Sequence, residues 1–180
     1  WMMKKIGFKI IDIEFNKING GSFSVTVAKP GFPKQETPDL AIFLEEENRK
    51  GFSTNKPYDD FRERIFEFKL KIRQLLDRLH EEKKMILGYG ASTKGNVLLQ
   101  FVGITSRDIP YIGEVNEDKF GSYTPGTLIP IISEEEAREM NPDYFFVLPW
   151  HFKEFISNKE KFIKTKKIPL LFPLPSIEII

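Results

Sequence analysis

From residue 85 onward, short apolar runs alternate with segments of helical character, and this alternation limits the fold more than any other feature of the chain. Residues 85–89, 111–113, 128–132, 144–148 and 170–172 read as strands, and helices fit at about 94–102, 134–140 and 152–164. Ser133 followed by Glu136 is a capping box for the middle helix. Parallel strands need crossover connections, and near-continuous apolar strands such as Tyr144-Phe-Phe-Val-Leu148 fit a sheet buried on both faces. The expected fold is therefore α/β, a Rossmann-like parallel sheet with flanking helices.

The first half of the chain follows other periods. Residues 6–15 and 23–28 alternate apolar and polar side chains around the turn Asn19-Gly20-Gly21-Ser22, which predicts a β-hairpin. A lone hairpin is marginal in water, so its apolar face needs a surface to dock on. Thr37, Pro38 and Gly51 bracket a short helix over 38–50. A long helix over 57–84 carries Phe61, Ile65, Phe68, Ile72, Leu75 and Leu79 in one stripe, suited to lying on a domain core or to a dimeric coiled coil. His80, beside Glu81 and Glu82, is expected in solvent. The organisation that follows is a hairpin at 1–29, a connection with two helices at 30–84 and the α/β domain at 85–180.

Charge and composition narrow the function. Lys plus Arg number 27 against 26 Asp plus Glu, a net charge of +1, so neither nucleic acid nor an anionic membrane is held by bulk field. With no cysteine there is no disulfide, thiolate metal site or cysteine nucleophile, which fits a reducing cytoplasm, and no metal site is expected. No apolar run approaches the roughly 18 residues of a membrane span.

The segment Gly88-Tyr-Gly90-Ala-Ser92-Thr93-Lys94-Gly95-Asn96 joins the first strand of the predicted sheet to its first helix. Glycines allow a tight turn, and Ser92, Thr93, Lys94 and the free amides of a helix start suit a phosphate. The third glycine falls seven positions after the first, whereas G-x-G-x-x-G requires five, so an NAD site is disfavoured. Asn96 stands where the Walker lysine belongs, and Lys94 where the last glycine of a nucleophile elbow belongs. Phosphate binding and a purely architectural turn both remain open.

Glu114 and Asn116 follow the second strand, roughly where nucleotide-binding sheets place a ribose-binding carboxylate. Trp150 and His151 leave the fourth strand at the edge where open α/β sheets bind ligands, suited to stacking and to a phosphate or hydroxyl, or to packing alone. A Ser92–His151 nucleophile pair lacks an elbow and a third member, so no catalytic residue is assigned.

Together these segments resemble a known family. GYGASTKGN, the Glu-x-Asn segment with Lys119 and Gly121, TPGTLIPI, PDYFFVLPWHF and the final FPLP are similar to the carboxy-terminal domain of SAM-dependent sugar C-methyltransferases, and the NGGS hairpin resembles the closing strands of their central domain. The resemblance implies a Rossmann-like module that holds a nucleotide-linked deoxysugar beside a SAM domain, through Gly88, Gly90, Ser92, Thr93, Lys94, Gly95, Asn96, Glu114, Asn116, Lys119, Trp150 and His151. SAM and the family's acid/base residues belong to parts not found in this sequence, so the chain is expected to act as a carboxy-terminal portion, without cofactor or methyl transfer of its own. Expected partners are a nucleotide-sugar and a methyltransferase domain or a second copy. The rival reading is a free-standing dimerising or regulatory module, and a third is a complete NAD-dependent sugar enzyme.

Overall fold

This computed structural model describes residues 1–161 and 167–180, and the chain divides into two compact units, Trp1–Arg64 and Ile65–Ile180.

In the first unit a short helix α1 (Met2–Lys5) precedes a two-stranded antiparallel sheet of β1 (Lys9–Asn16) and β2 (Ser22–Ala28), followed by α2 (Asp39–Lys50). The first strand starts three residues later than its alternation suggests, because Gly7 turns at φ +84 after α1. Ile10, Ile11 and Leu40 are buried, and Phe43 of α2 meets Phe15 edge-on at 5.0 Å. Phe15 and Phe23 nevertheless stay 64% and 68% exposed.

Helix α3 (Lys56–Glu81) belongs to the other unit from Ile65 onward. There follow β3 (Ile86–Tyr89), α4 (Thr93–Val102), β4 (Ile112–Glu114), β5 (Ile131–Ser133), α5 (Glu134–Glu139), β6 (Tyr144–Val147), α6 (Lys153–Lys161), β7 (Leu170–Phe172) and β8 (Glu178–Ile179). The sheet order is β5-β4-β3-β6-β7-β8, parallel except for the last strand. That is the Rossmann order 3-2-1-4-5-6 with a reversed edge strand, so the chain switches direction between β3 and β6.

Two apolar layers flank this sheet. Ile72, Leu76 and Leu79 of α3 and Leu98, Leu99 and Val102 of α4 pack with Ile86, Ile112, Phe146 and Leu171. Ala137 of α5 and Ile156 of α6 pack with Leu87, Phe145, Val147 and Phe172. Only the later part of the α3 stripe is buried: Ile72, Leu75 and Leu79 are, whereas Phe61 is 56% exposed.

Several sequence expectations shift. The third strand of the sheet lies at Ile131–Ser133, not 128–132, because Leu128 adopts φ +53 in a loop that Thr124 closes by accepting the Ile129 amide at 2.8 Å. The edge strand β8 is too short to show periodicity. His80 is not simply solvated: its Nε2 lies 3.0 Å from the Asp108 carbonyl oxygen, next to the ion pair between Arg73 and the Asp108 carboxylate at 2.8 Å. The predicted last helix runs past Lys161 onto residues outside those described.

Candidate ligand-binding cavity

The strand-to-helix turn after β3 is built by close approach. At Gly90, with φ +77, a side chain would strike Pro149 at 2.9 Å, and at Gly95 a Cβ would lie 2.6 Å from that of Leu148. Gly88 is inside β3, against Ile112. These glycines let α4 start directly above β6.

Ser92 caps the helix, its Oγ accepting the Gly95 amide at 3.0 Å. The amides of Gly90, Ala91 and Asn96 go to Gly113 O, Glu114 Oε2 and Ser92 O. Those of Ser92 and Thr93 have no acceptor among the described residues, and they sit at the positive end of α4.

Glu114 is 7% exposed and receives the amides of Ala91 at 2.9 Å, Val115 at 2.8 Å and Asn116 at 3.0 Å, with the Lys119 ammonium at 3.1 Å. Burial alone would raise its pKa, yet the Asn116 amide, Lys119 and the Val115 amide outweigh it and hold the carboxyl below its usual range. Lys119 also donates to the Ala91 carbonyl at 2.9 Å, so this pair clamps the glycine turn to the end of β4.

On the opposite helix layer, Lys159 of α6 bonds Glu134 at 2.6 Å and the Tyr89 hydroxyl at 3.1 Å, while Arg138 bonds Glu134 at 2.9 Å and Glu160 at 2.5 Å. Burial, reinforced by the Glu134 and Glu160 charges, pushes the Tyr89 phenol well above its ordinary pKa, so it stays protonated.

Between these groups lies a cavity of 640 Å³ at the carboxyl ends of β3, β4 and β6, the place where strand order reverses. Of the residues expected from sequence, Gly90, Ser92, Thr93, Asn96, Glu114 and Lys119 line it. The others do not. Gly88 and Gly95 serve packing, and the Asn116 side chain caps the following 3-10 turn through the Asp118 amide. Lys94 lies outside the lining but near His151, whose pKa is lowered by burial and then by the Lys94 charge. Trp150 packs against both apolar layers.

Sequence reasoning missed Tyr89, Tyr123, Glu134, Phe152, Phe155 and Lys159, which also line the cavity. Phe152 and Phe155 follow the predicted Trp150-His151 pair within four residues beyond the same strand end, which was the available signal.

The family model described as C-methyltransferase C-terminal domain matches residues 17–175. The chain belongs to that family. It is similar to the C-methyltransferase NovU of Streptomyces niveus, 30% identical over 175 residues that cover 97% of this chain. The chain spans 41% of that relative's length. Among the described residues no helix is long and apolar enough to cross a membrane, and no cluster of His, Cys, Asp or Glu is arranged to hold a metal ion.

Proposed function

We propose that the second unit binds a nucleotide-linked deoxysugar in the cavity and presents it to the SAM-binding portion of a longer sugar C-methyltransferase in the cytoplasm, without transferring a methyl group itself. The observation that carries this reading is the uncommitted pair of amides at Ser92 and Thr93, at the start of α4 and at the strand-order switch. An anion there gains two N–H donors and the helix dipole, and a diphosphate supplies one. Thr93 adds a hydroxyl, and Lys94 adds charge from outside the lining.

The same donor set suits a diphosphate better than the sulfonium of SAM. A sulfonium is a cation, and the positive end of α4 faces the cavity. In this reading the methyl donor is left to another part of a longer enzyme, and the exposed aromatic face of the first unit is the surface proposed to meet that part.

Chemical-shift mapping with dTDP-glucose tests the binding site. Gly90, Ser92, Thr93 and Gly113 amides are expected to shift saturably while β1 and β2 stay in place. Shifts confined to the first unit, or none at millimolar ligand, would overturn the proposal.

A further inference from the structure

Two glutamate–lysine pairs line the cavity, and they differ in what they leave open. Glu114 already receives four N–H donors, one for each of the roughly four acceptor positions of a carboxylate. A ligand hydroxyl reaches it only by displacing a backbone amide or Lys119. Glu134 is less committed. Its Oε1 accepts Arg138 Nε at 3.1 Å and Nη2 at 2.9 Å, but its Oε2 accepts only Lys159, at 2.6 Å, among the described residues. An acceptor position on Oε2 therefore remains.

Lys159 spends a second N–H on Tyr89, and an ammonium has three. Among the described residues, one donor and one acceptor thus stand side by side on the cavity wall, their side chains 35% and 14% exposed. Phe152, from the connection after β6, and Phe155 of α6 line the same cavity and are 53% and 70% exposed.

This end of the cavity is poorly suited to phosphate, since the Glu134 carboxylate repels any anion that approaches Lys159. It matches a pair of neighbouring hydroxyls. One donates to Glu134 Oε2, the other accepts from Lys159 Nζ, and the C–H face of the ring rests on the phenylalanines.

We infer that Glu134 and Lys159 recognise the diol of a sugar ring, with Tyr89 and Arg138 as positioning residues. The inference rests on the proposed reading of the cavity as a nucleotide-sugar site. It transfers to Glu134 the hydroxyl-binding role that sequence position suggested for Glu114. The diol belongs either to the hexose or to the ribose, and the probes separate these sources.

The test is calorimetric titration of the full chain and of Glu134→Gln, Lys159→Met and Lys159→Arg with UDP-glucose, dTDP-glucose, UDP, 2′-deoxy-UDP and pyrophosphate. Glu134→Gln and Lys159→Met are expected to weaken nucleotide-sugar binding about tenfold or more, the range for losing a hydrogen bond to a charged group, while Lys159→Arg recovers part of the loss. Pyrophosphate affinity stays within about twofold in all variants, because its contacts lie at α4. A hexose diol leaves UDP unaffected. A ribose diol weakens UDP as well, and leaves 2′-deoxy-UDP unaffected.

Two results overturn the inference alone: variants that melt like the parent and bind nucleotide-sugars as tightly, or a loss of pyrophosphate affinity as large as that of the sugars. A parent chain that binds no nucleotide-sugar at millimolar concentration overturns the underlying site. Should Glu134→Gln and Lys159→Met both fail to fold, Phe155→Ala decides, because its exposed ring is dispensable for folding. Weaker nucleotide-sugar binding with unchanged pyrophosphate binding supports the inference, and unchanged binding of both overturns it.

Discussion

The two units solve the burial problem differently. In the second, both sheet faces are covered by helices of the same unit, and Phe145, Phe146 and Phe172 are fully buried. In the first, a two-stranded sheet and α2 bury Ile10, Ile11 and Leu40, while Phe15, Ile18, Phe23 and Phe32 remain at least half exposed. The apolar side chains around Phe15, Phe23, Val25, Phe43 and Leu44 still border a cavity of 250 Å³. A doubly covered sheet completes its own core, whereas a hairpin with one helix leaves aromatic surface of the kind that marks an interaction site.

The largest test of this contrast is a pair of truncations. Phe146→Ala removes a ring from the centre of the sheet and is expected to cost about 3–5 kcal/mol of unfolding free energy. Phe23→Ala, at 68% exposure, is expected to cost less than about 1 kcal/mol. Denaturant melts of the two variants check both values, and a Phe23 variant as damaged as the Phe146 one would break the comparison.

Acid sharpens it further. Glu114 and Asp108 have pKa values held below the usual carboxylate range: burial opposes ionisation in both, and hydrogen bonds and cations overcome it. A folded-state pKa below the unfolded value gives stability that is present above about pH 4, the ordinary carboxylate value, and lost as pH falls through the folded pKa. In the first unit the lowered pKa of Glu46 arises from hydrogen bonding and charge at Lys50, on a partly exposed surface helix. Hydrogen exchange from pH 6 to pH 3 is therefore expected to show protection in β3 and β4 falling with acid, an effect that Glu114→Gln reduces. Protection in β1 and β2 should change less.

The smallest effect concerns Lys94. Lys94 is not among the cavity-lining residues, so Lys94→Ala is expected to weaken nucleotide-sugar binding by about 0.3–1 kcal/mol, the scale of a charge at a helix end. A loss above about 2 kcal/mol would instead indicate a direct, charge-assisted contact.

What was legible in the sequence was local. The capping box of Ser133 and Glu136, the αL glycine after α2 and the apolar runs of β3, β6 and β7 each depend on neighbours a few positions away. The glycine turn was also visible, but Ser92 showed only its residue type and not that its hydroxyl caps α4. The pole built by Tyr89, Glu134 and Lys159 was hidden because Lys159 finds Glu134 and Tyr89 across separations of 25 and 70 residues. Strand order decides that meeting, and no local pattern encodes it. Glu114 was found by position while its saturation was not, because that depends on Ala91 and Lys119 converging on one carboxylate.

Side-by-side calorimetry of the chain with dTDP-glucose or UDP-glucose and with SAM tests the central claim most directly. Saturable binding of a nucleotide-sugar, with no heat of binding from SAM and no transfer of a labelled methyl group, is the predicted result. Micromolar binding of SAM, with transfer of the labelled methyl group or without nucleotide-sugar binding, would contradict it.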